Sequence, residues 1–261
     1  MTSPAFEQAR FESVAGYDRF MGRYSEALAP EFARAAGVPA DEHVLDVGCG
    51  TGILTQVLAG VAGANRVAAV DPSEPFVAAC RVRVPGADVR VARAESLPFA
   101  DESFGCALAQ LVFHFVEDRS AAAAEMRRVT RPGGRVAACV WDFTGGMTML
   151  RAYWDAAREV DPNAPDERER FGGRPGELAR LWREAGLGEV EQGSVQVSCR
   201  YQGFDELWES LTDAAGAVGA HVASLEAAKR EALRHALRRQ LGSPVGSFSL
   251  TARAWYAVGT A

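Results

Sequence analysis

Three glycines at alternate positions, Gly48, Gly50 and Gly52, follow the apolar run Val44-Leu45-Asp46-Val47 and precede the amphipathic stretch Ile53 to Val61. A strand entering a helix through such a turn keeps side chains out from between its backbone and a bound nucleoside. Position 53 selects the kind of nucleoside. A dinucleotide fingerprint needs a glycine there so that the helix can pack around a pyrophosphate, and Ile53 stands in that place. The turn therefore suits a ligand without phosphates. A second apolar run, Val67-Ala68-Ala69-Val70, ends at Asp71, whose carboxylate can accept hydrogen bonds from both hydroxyls of a ribose.

Together, the glycine turn and the acid point to S-adenosylmethionine. These residues resemble the first two motifs of class I S-adenosylmethionine-dependent methyltransferases. Three further stretches follow in the same order as in that family: Arg93-Ala94-Glu95-Ser96-Leu97-Pro98-Phe99, Asp101-Glu102-Ser103-Phe104, and Glu125-Met126-Arg127-Arg128-Val129-Thr130-Arg131-Pro132-Gly133-Gly134. They are similar to the small-molecule branch typified by ubiquinone/menaquinone-biosynthesis methyltransferases. The resemblance is specific over about residues 40 to 142 and loose elsewhere, so it speaks for cofactor and reaction class and hardly for the acceptor.

The resemblance implies a role for each matching position. The backbone of Gly48, Gly50 and Gly52 approaches the methionine end, Asp71 holds the ribose, Pro72 and Ser73 lie beside the adenine, and Ala94 and Glu95 border its amino edge. Arg93 departs from the pattern, because relatives commonly carry Asp or Asn there and a guanidinium has no acceptor. Either Glu95 takes over that contact or Arg93 points to solvent. Gly105, where the family often has Asp, is a second departure. Gln110 and Leu111, at the end of the fourth strand, are expected at the cofactor's amino group. His114 follows in the same loop as a candidate general base for a hydroxyl or amine nucleophile, with a structural role between Phe113 and Phe115 as the alternative. Upstream, Tyr17 to Tyr24 resembles a segment that folds across the cofactor. Arg23 is placed to pair with the methionine carboxylate and Tyr17 to pack on the cofactor, unless both only fix the helix to the sheet.

The elements needed to hold these residues can be read from periodicity. Strands are expected at 43–47, 66–70, 88–92, 104–110 and 134–141, alternating with helices near 53–62, 73–83 and 118–130, the rhythm of a parallel sheet covered on both faces. Helices follow at 147–160 and 177–185, a strand near 189–199, helices at 204–211 and 225–241, and a closing strand over 248–258. The expected fold is α/β, a doubly wound Rossmann-like seven-stranded sheet, mostly parallel with an antiparallel last strand. Residues 1–142 would form the cofactor-binding core with amino-terminal cap helices. Residues 143–261 would complete the same domain with helical lid insertions at 143–172 and 202–245 and the last two strands. Trp141, Asp142, Tyr153, Trp154, Phe204 and Trp208 would then surround an apolar acceptor pocket, helix core being the commoner fate of such side chains. The basic face of Lys229, Arg230, Arg234, Arg238 and Arg239 reads as solvated.

Composition narrows the functional classes. A net charge of −6 argues against general affinity for nucleic acid. No apolar run is long enough to span a membrane, and Met1 to Arg10 lack the core of a secretory signal, so a cytoplasmic protein is expected. Cys49, Cys80, Cys106, Cys139 and Cys199 are spread one per element and read as reduced, mostly buried thiols. His43, His221 and His235 show no metal-ligand spacing, and no metal is expected. The overall reading is methyl transfer from S-adenosylmethionine to oxygen, nitrogen or carbon of a small molecule. Its rivals are cyclisation or carboxyl transfer on the same fold, or a non-catalytic regulatory protein that retains the cofactor site. The sequence leaves the oligomeric state open.

Overall fold

The computed structural model describes residues 14–214 and 216–261, so the amino-terminal stretch Met1 to Arg10 lies outside the described residues. Its central feature is a seven-stranded sheet in the order β3-β2-β1-β4-β5-β7-β6. The strands are β1 (Val44–Val47), β2 (Val67–Asp71), β3 (Asp88–Val91), β4 (Phe104–Gln110), β5 (Thr130–Trp141), β6 (Gly188–Tyr201) and β7 (Phe248–Thr260). β1 pairs in parallel with β2 and β4, β2 with β3, and β4 with β5. β7 lies antiparallel to β5, with Trp141 opposite Ala254 and Arg135 opposite Thr260.

The apolar composition of β1, β2 and β4 follows from this arrangement. Every residue of β1 and β2 is buried, as are the first six of β4, because helices cover both faces of a parallel sheet. The helices Ile53–Ala62, Glu74–Arg83 and Arg119–Val129 provide the crossovers. The polar exception within β1 is Asp46.

The chain divides into two compact units. One comprises 25–142, Arg170–Gln196 and Arg253–Ala261, and holds the five parallel strands and the glycine turn. In it Trp182 is fully buried, packing edge-on against Phe113 at 5.1 Å and donating its indole N–H to the carbonyl of Ala257 at 3.2 Å. Arg253 of β7 forms an ion pair with the buried carboxylate of Asp142, which follows β5.

Among the described residues, the other unit comprises 14–24, Phe143–Glu169 and Val197–Ala252. Its core is built on the helix Thr148–Val160, whose Tyr153 and Trp154 are fully buried. The hydroxyl of Tyr153 shares a 2.6 Å hydrogen bond with His221 Nδ1, and Trp154 donates to Glu167 at 2.8 Å. Phe204 is buried here as well and Trp208 half-buried. The basic helix Ala227–Gln240 is more committed than its sequence suggests. Lys229 reaches Asp161 at 3.7 Å, Arg234 reaches Asp205 at 2.6 Å and Arg239 pairs with Glu159, while Lys229, Arg230, Arg238 and Arg239 remain exposed, so the face is solvated as expected and carries ion pairs as well.

Two elements differ from expectation. β5 begins at Thr130, where Thr130 pairs with Phe104 before a register shift, although Pro132-Gly133-Gly134 reads as a turn. The backbone groups that these residues free are taken up at the chain end, Gly133 N–H donating to Ala261 and Ala261 N–H to Gly134. A separate helix, Ala217–Ser224, precedes Ala227–Gln240, its glycine-containing sequence giving little helical signal. Among the described residues no helix is long and apolar enough to cross a membrane.

Gly60 is an exposed glycine inside the helix Ile53–Ala62, and nothing lies within 4 Å of a Cβ built there. Gly60→Ala should raise the unfolding free energy by about 0.5–1 kcal/mol through the lost freedom of the unfolded chain. Urea unfolding measures this, and a lowered midpoint would contradict the open helix surface.

Candidate functional site

The site is organised where β1 and β2 end. The N–H groups of Gly48 and Cys49 both donate to the carbonyl of Val70, at 2.7 and 2.9 Å, clamping the turn after β1 onto β2. Two of the turn glycines are enforced sterically as well as by backbone angle. Gly48 has φ 75° and a Cβ there would collide with the side chain of Val112, while Gly52 has φ 88° and a Cβ would sit 2.8 Å from Cys80 Sγ and 3.1 Å from its Cα. Gly50, by contrast, faces open space within 4 Å.

Asp71 joins the two strand ends. Its Oδ2 accepts the Gly50 N–H at 3.0 Å and its Oδ1 accepts the Ser73 N–H at 2.9 Å. The residue is 7% exposed, and burial raises its pKa against the opposing effect of those two bonds. A carboxylate has about four lone-pair sites, so each oxygen keeps one for a further donor.

Asp46, whose role the sequence reading passed over, lies beneath the turn. It is 1% exposed, accepts the Thr55 hydroxyl at 2.7 Å on Oδ2, and has no partner for the buried Oδ1. Burial pushes its pKa up to about 7, and the nearby Asp71 adds to the shift. The available signal was a carboxylate inside a strand covered on both sides.

Beyond β2, the loop carrying Ala94 and Glu95 is held by Glu125 and Arg128 of one helix. Glu125 accepts the Leu97 N–H at 2.7 Å, while Arg128 donates to the carbonyls of Leu97 and Phe99 and to Asp101. Ala94 is buried and Glu95 half-buried. The Arg93 side chain is 55% exposed and lies 3.4 Å from Glu95 and 3.2 Å from Glu117. Pro72 is exposed and Ser73 half-buried at the start of the helix Glu74–Arg83.

At the end of β4, Gln110 donates Nε2 to the Ser25 carbonyl at 3.3 Å and buries Oε1 without a partner. Leu111 adopts φ 62°, a left-handed conformation that costs a leucine roughly 1–2 kcal/mol. Its N–H bonds to the Cys139 carbonyl at 2.9 Å, so the sheet holds the strain at the point where the chain leaves it. His114 follows, its ring 3.9 Å from that of Phe115. Burial, with Arg170 and Arg119 nearby, drives its pKa well below the usual range, so the imidazole is neutral at physiological pH.

Two sequence candidates belong to the other unit. Tyr17 ends the helical turn Val14–Tyr17, and Arg23 opens the helix Arg23–Ala36 after the π-helical segment Asp18–Gly22. Arg23 Nη2 donates to Glu206 at 2.6 Å and the guanidinium lies 4.5 Å from the centre of the Tyr201 ring, leaving Nη1 buried without a hydrogen-bond partner. All five cysteines are buried thiols rather than disulfides.

A glycine turn after β1, an acid closing β2 and open backbone at Gly50 thus meet at the ends of adjacent parallel strands of an α/β sheet. Residues 45–138 match the family described as Methyltransferase domain. Over 140 residues the chain is 41% identical to the demethylmenaquinone methyltransferase of Mycobacterium sp. (strain KMS), covering 53% of this chain and 55% of that protein. It is 33% identical over 151 residues to the malonyl-[acyl-carrier protein] O-methyltransferase of Methylococcus capsulatus, covering 56% and 52%. The chain thus spans about half the length of these curated relatives. A solved structure from Anaeromyxobacter dehalogenans, described as a candidate type II methyltransferase, superposes with a TM-score of 0.64 at 27% identity, covering 90% of this chain and 95% of that one.

The raised pKa of Asp46 has a definite sign. Its pKa in the folded state, about 7, exceeds the ordinary 3.8, so between those values the folded protein binds a proton that the unfolded chain has released. Stability should therefore fall as pH rises through that window and level off above it, with Asp71 contributing in the same direction. Asp46→Asn should flatten the slope by on the order of 1 kcal/mol or more between about pH 5 and 8. Urea unfolding across that range reads it, and identical slopes in both proteins would mean that Asp46 ionises as an ordinary acid.

Proposed function

We propose that the chain transfers a methyl group from S-adenosylmethionine to oxygen, nitrogen or carbon of a small molecule. The observation that carries this reading is the Asp71 carboxylate, fixed at both oxygens by backbone N–H groups of the glycine turn and of its own loop, with acceptor capacity left for two ribose hydroxyls. The open backbone at Gly50 and the lone buried acceptor of Gln110 fit the same ligand.

When bound, S-adenosylmethionine supplies an activated methyl on a sulfonium that departs as a neutral thioether. In this reading Asp71 holds the ribose, while Gly48, Gly50 and Gly52 let the backbone approach the methionine end. Pro72 and Ser73 lie along the adenine, and Ala94 and Glu95 border its amino edge. Gln110 Oε1 accepts from the amino group, and the left-handed turn at Leu111 directs the following backbone toward it.

The contribution of these residues to catalysis is alignment of acceptor, methyl and sulfur. A His114 kept neutral by burial, with Arg170 and Arg119 adding to the effect, is a poor proton acceptor, so no general base is assigned. The five buried thiols, none in a disulfide, support a reducing compartment, the cytoplasm.

Calorimetry should show S-adenosylmethionine and S-adenosylhomocysteine binding at micromolar levels. Asp71→Ala removes two charge-assisted hydrogen bonds to the ribose, each worth about 1.5–3 kcal/mol, and affinity should fall at least tenfold. Tight binding of NAD without response to either sulfur nucleoside would overturn the assignment. An unchanged dissociation constant in the variant would remove Asp71 as the ribose ligand.

A further inference from the structure

The loop leaving β4 and the segment beginning at Arg170 meet beside the carboxyl ends of β4 and β5, the side of an open sheet on which ligands bind. The placement is fixed by Gly172, so close to Val140 of β5 that a Cβ would overlap its side chain. Two arginines and the rings of Phe115 and Phe171 gather there beside His114. Arg119 donates Nε to the Phe113 carbonyl at 3.0 Å and lays its guanidinium 4.6 Å from the centre of the Phe171 ring. Arg170 lies 5.5 Å from the Phe115 ring, which is 50% exposed and in contact with His114.

Arg119 is the residue of this cluster with bonding capacity to spare. Arg119 has no carboxylate partner among the described residues, and its terminal nitrogens make no hydrogen bond. The nearest acids in sequence are engaged elsewhere. Glu117 pairs with Arg93 at 3.2 Å, and Asp118 caps the helix Arg119–Val129 by accepting the Ala121 N–H at 2.9 Å. His114 lies within electrostatic reach of both arginines. A planar cation stacked on an aromatic ring, with its outer edge free, is suited to a carboxylate or phosphate attached to an apolar or aromatic body.

We propose that this cluster is the acceptor-specificity site, and that the methyl acceptor carries an anionic group, carboxylate or phosphate, received by Arg119 with Arg170 flanking it. The inference rests on the methyltransferase reading for what is done to the acceptor, but the anion site itself can be tested without turnover.

The probes are benzoate, phenyl phosphate and the neutral isostere benzamide. Their dissociation constants are measured by ligand-observed NMR on the full chain, with and without S-adenosylhomocysteine. The wild-type protein should bind benzoate or phenyl phosphate at least about tenfold more tightly than benzamide. Arg119→Gln should abolish that preference and Arg119→Lys should keep part of it, both with unchanged affinity for S-adenosylhomocysteine by calorimetry. Since Arg119 also braces the Phe113 carbonyl, Arg170→Gln serves as the second variant and should weaken the preference without touching that brace. Equal binding of benzoate and benzamide by a wild-type protein that binds S-adenosylhomocysteine would overturn the anion site alone. So would a preference that survives both Gln variants. An intact anion preference in a protein that ignores S-adenosylhomocysteine would instead overturn the cofactor reading and leave the anion site standing. A preference for one anion over the other identifies the source, carboxylic acid or phosphate ester.

Discussion

The bonds from Gly50 and Ser73 to the Asp71 carboxylate are the contacts on which the site depends. A carboxylate this deeply buried loses much of its hydration, and neutral surroundings would drive it to take up a proton. Two backbone donors offset part of that cost, and in accepting them Asp71 fixes the loops after β1 and β2 in one mutual arrangement. The steric limits at Gly48 and Gly52 act on the same turn, so its backbone is held by covalent geometry, packing and charge together. Asp46 raises the stakes. A second buried acid within electrostatic reach makes each charge harder to keep, so a ligand that brings hydroxyl or ammonium donors relieves an unfavourable field as well as forming bonds.

Much of this was legible in the sequence because it rests on residue types with few alternatives. Glycines at alternate positions after an apolar strand, and an acid closing the next strand, leave little else for the chain to do there, and the strand and helix spans over residues 44–129 follow from periodicity. What stayed hidden depends on contacts distant in sequence or on backbone states that the residue does not announce. Nothing in a leucine signals the left-handed conformation of Leu111; the sheet imposes it through the bond to Cys139. The early start of β5 was masked by Pro132-Gly133-Gly134, whose turn chemistry is overridden by pairing with Phe104 and with the chain end. Asp46 was in plain view but reads as part of a motif until burial and the missing partner of Oδ1 are known.

Acceptor recognition was the least legible part, for a physical reason. Aromatic residues at helical spacing look the same whether they fill a core or line a pocket. Tyr153, Trp154 and Phe204 are buried within their own unit, with the polar atoms of Tyr153 and Trp154 bonded to His221 and Glu167. Side chains so fully used contribute rigidity, and selectivity toward a ligand must come from groups that still have bonding capacity.

The helix Arg119–Val129 shows how that distinction can be made between residues of one type. Arg128 commits its donors to the carbonyls of Leu97 and Phe99 and to the carboxylates of Glu125 and Asp101, so its charge is neutralised and its geometry fixed. It acts as a brace for the loop that borders the proposed adenine edge. Arg119, two turns earlier on the same helix, gives only Nε to the protein and keeps its outer edge free beside an aromatic ring. Folding alone would be served as well by a neutral donor to the Phe113 carbonyl. A full positive charge held there, next to a histidine that it helps to keep neutral, is accounted for once an anionic group arrives with the acceptor.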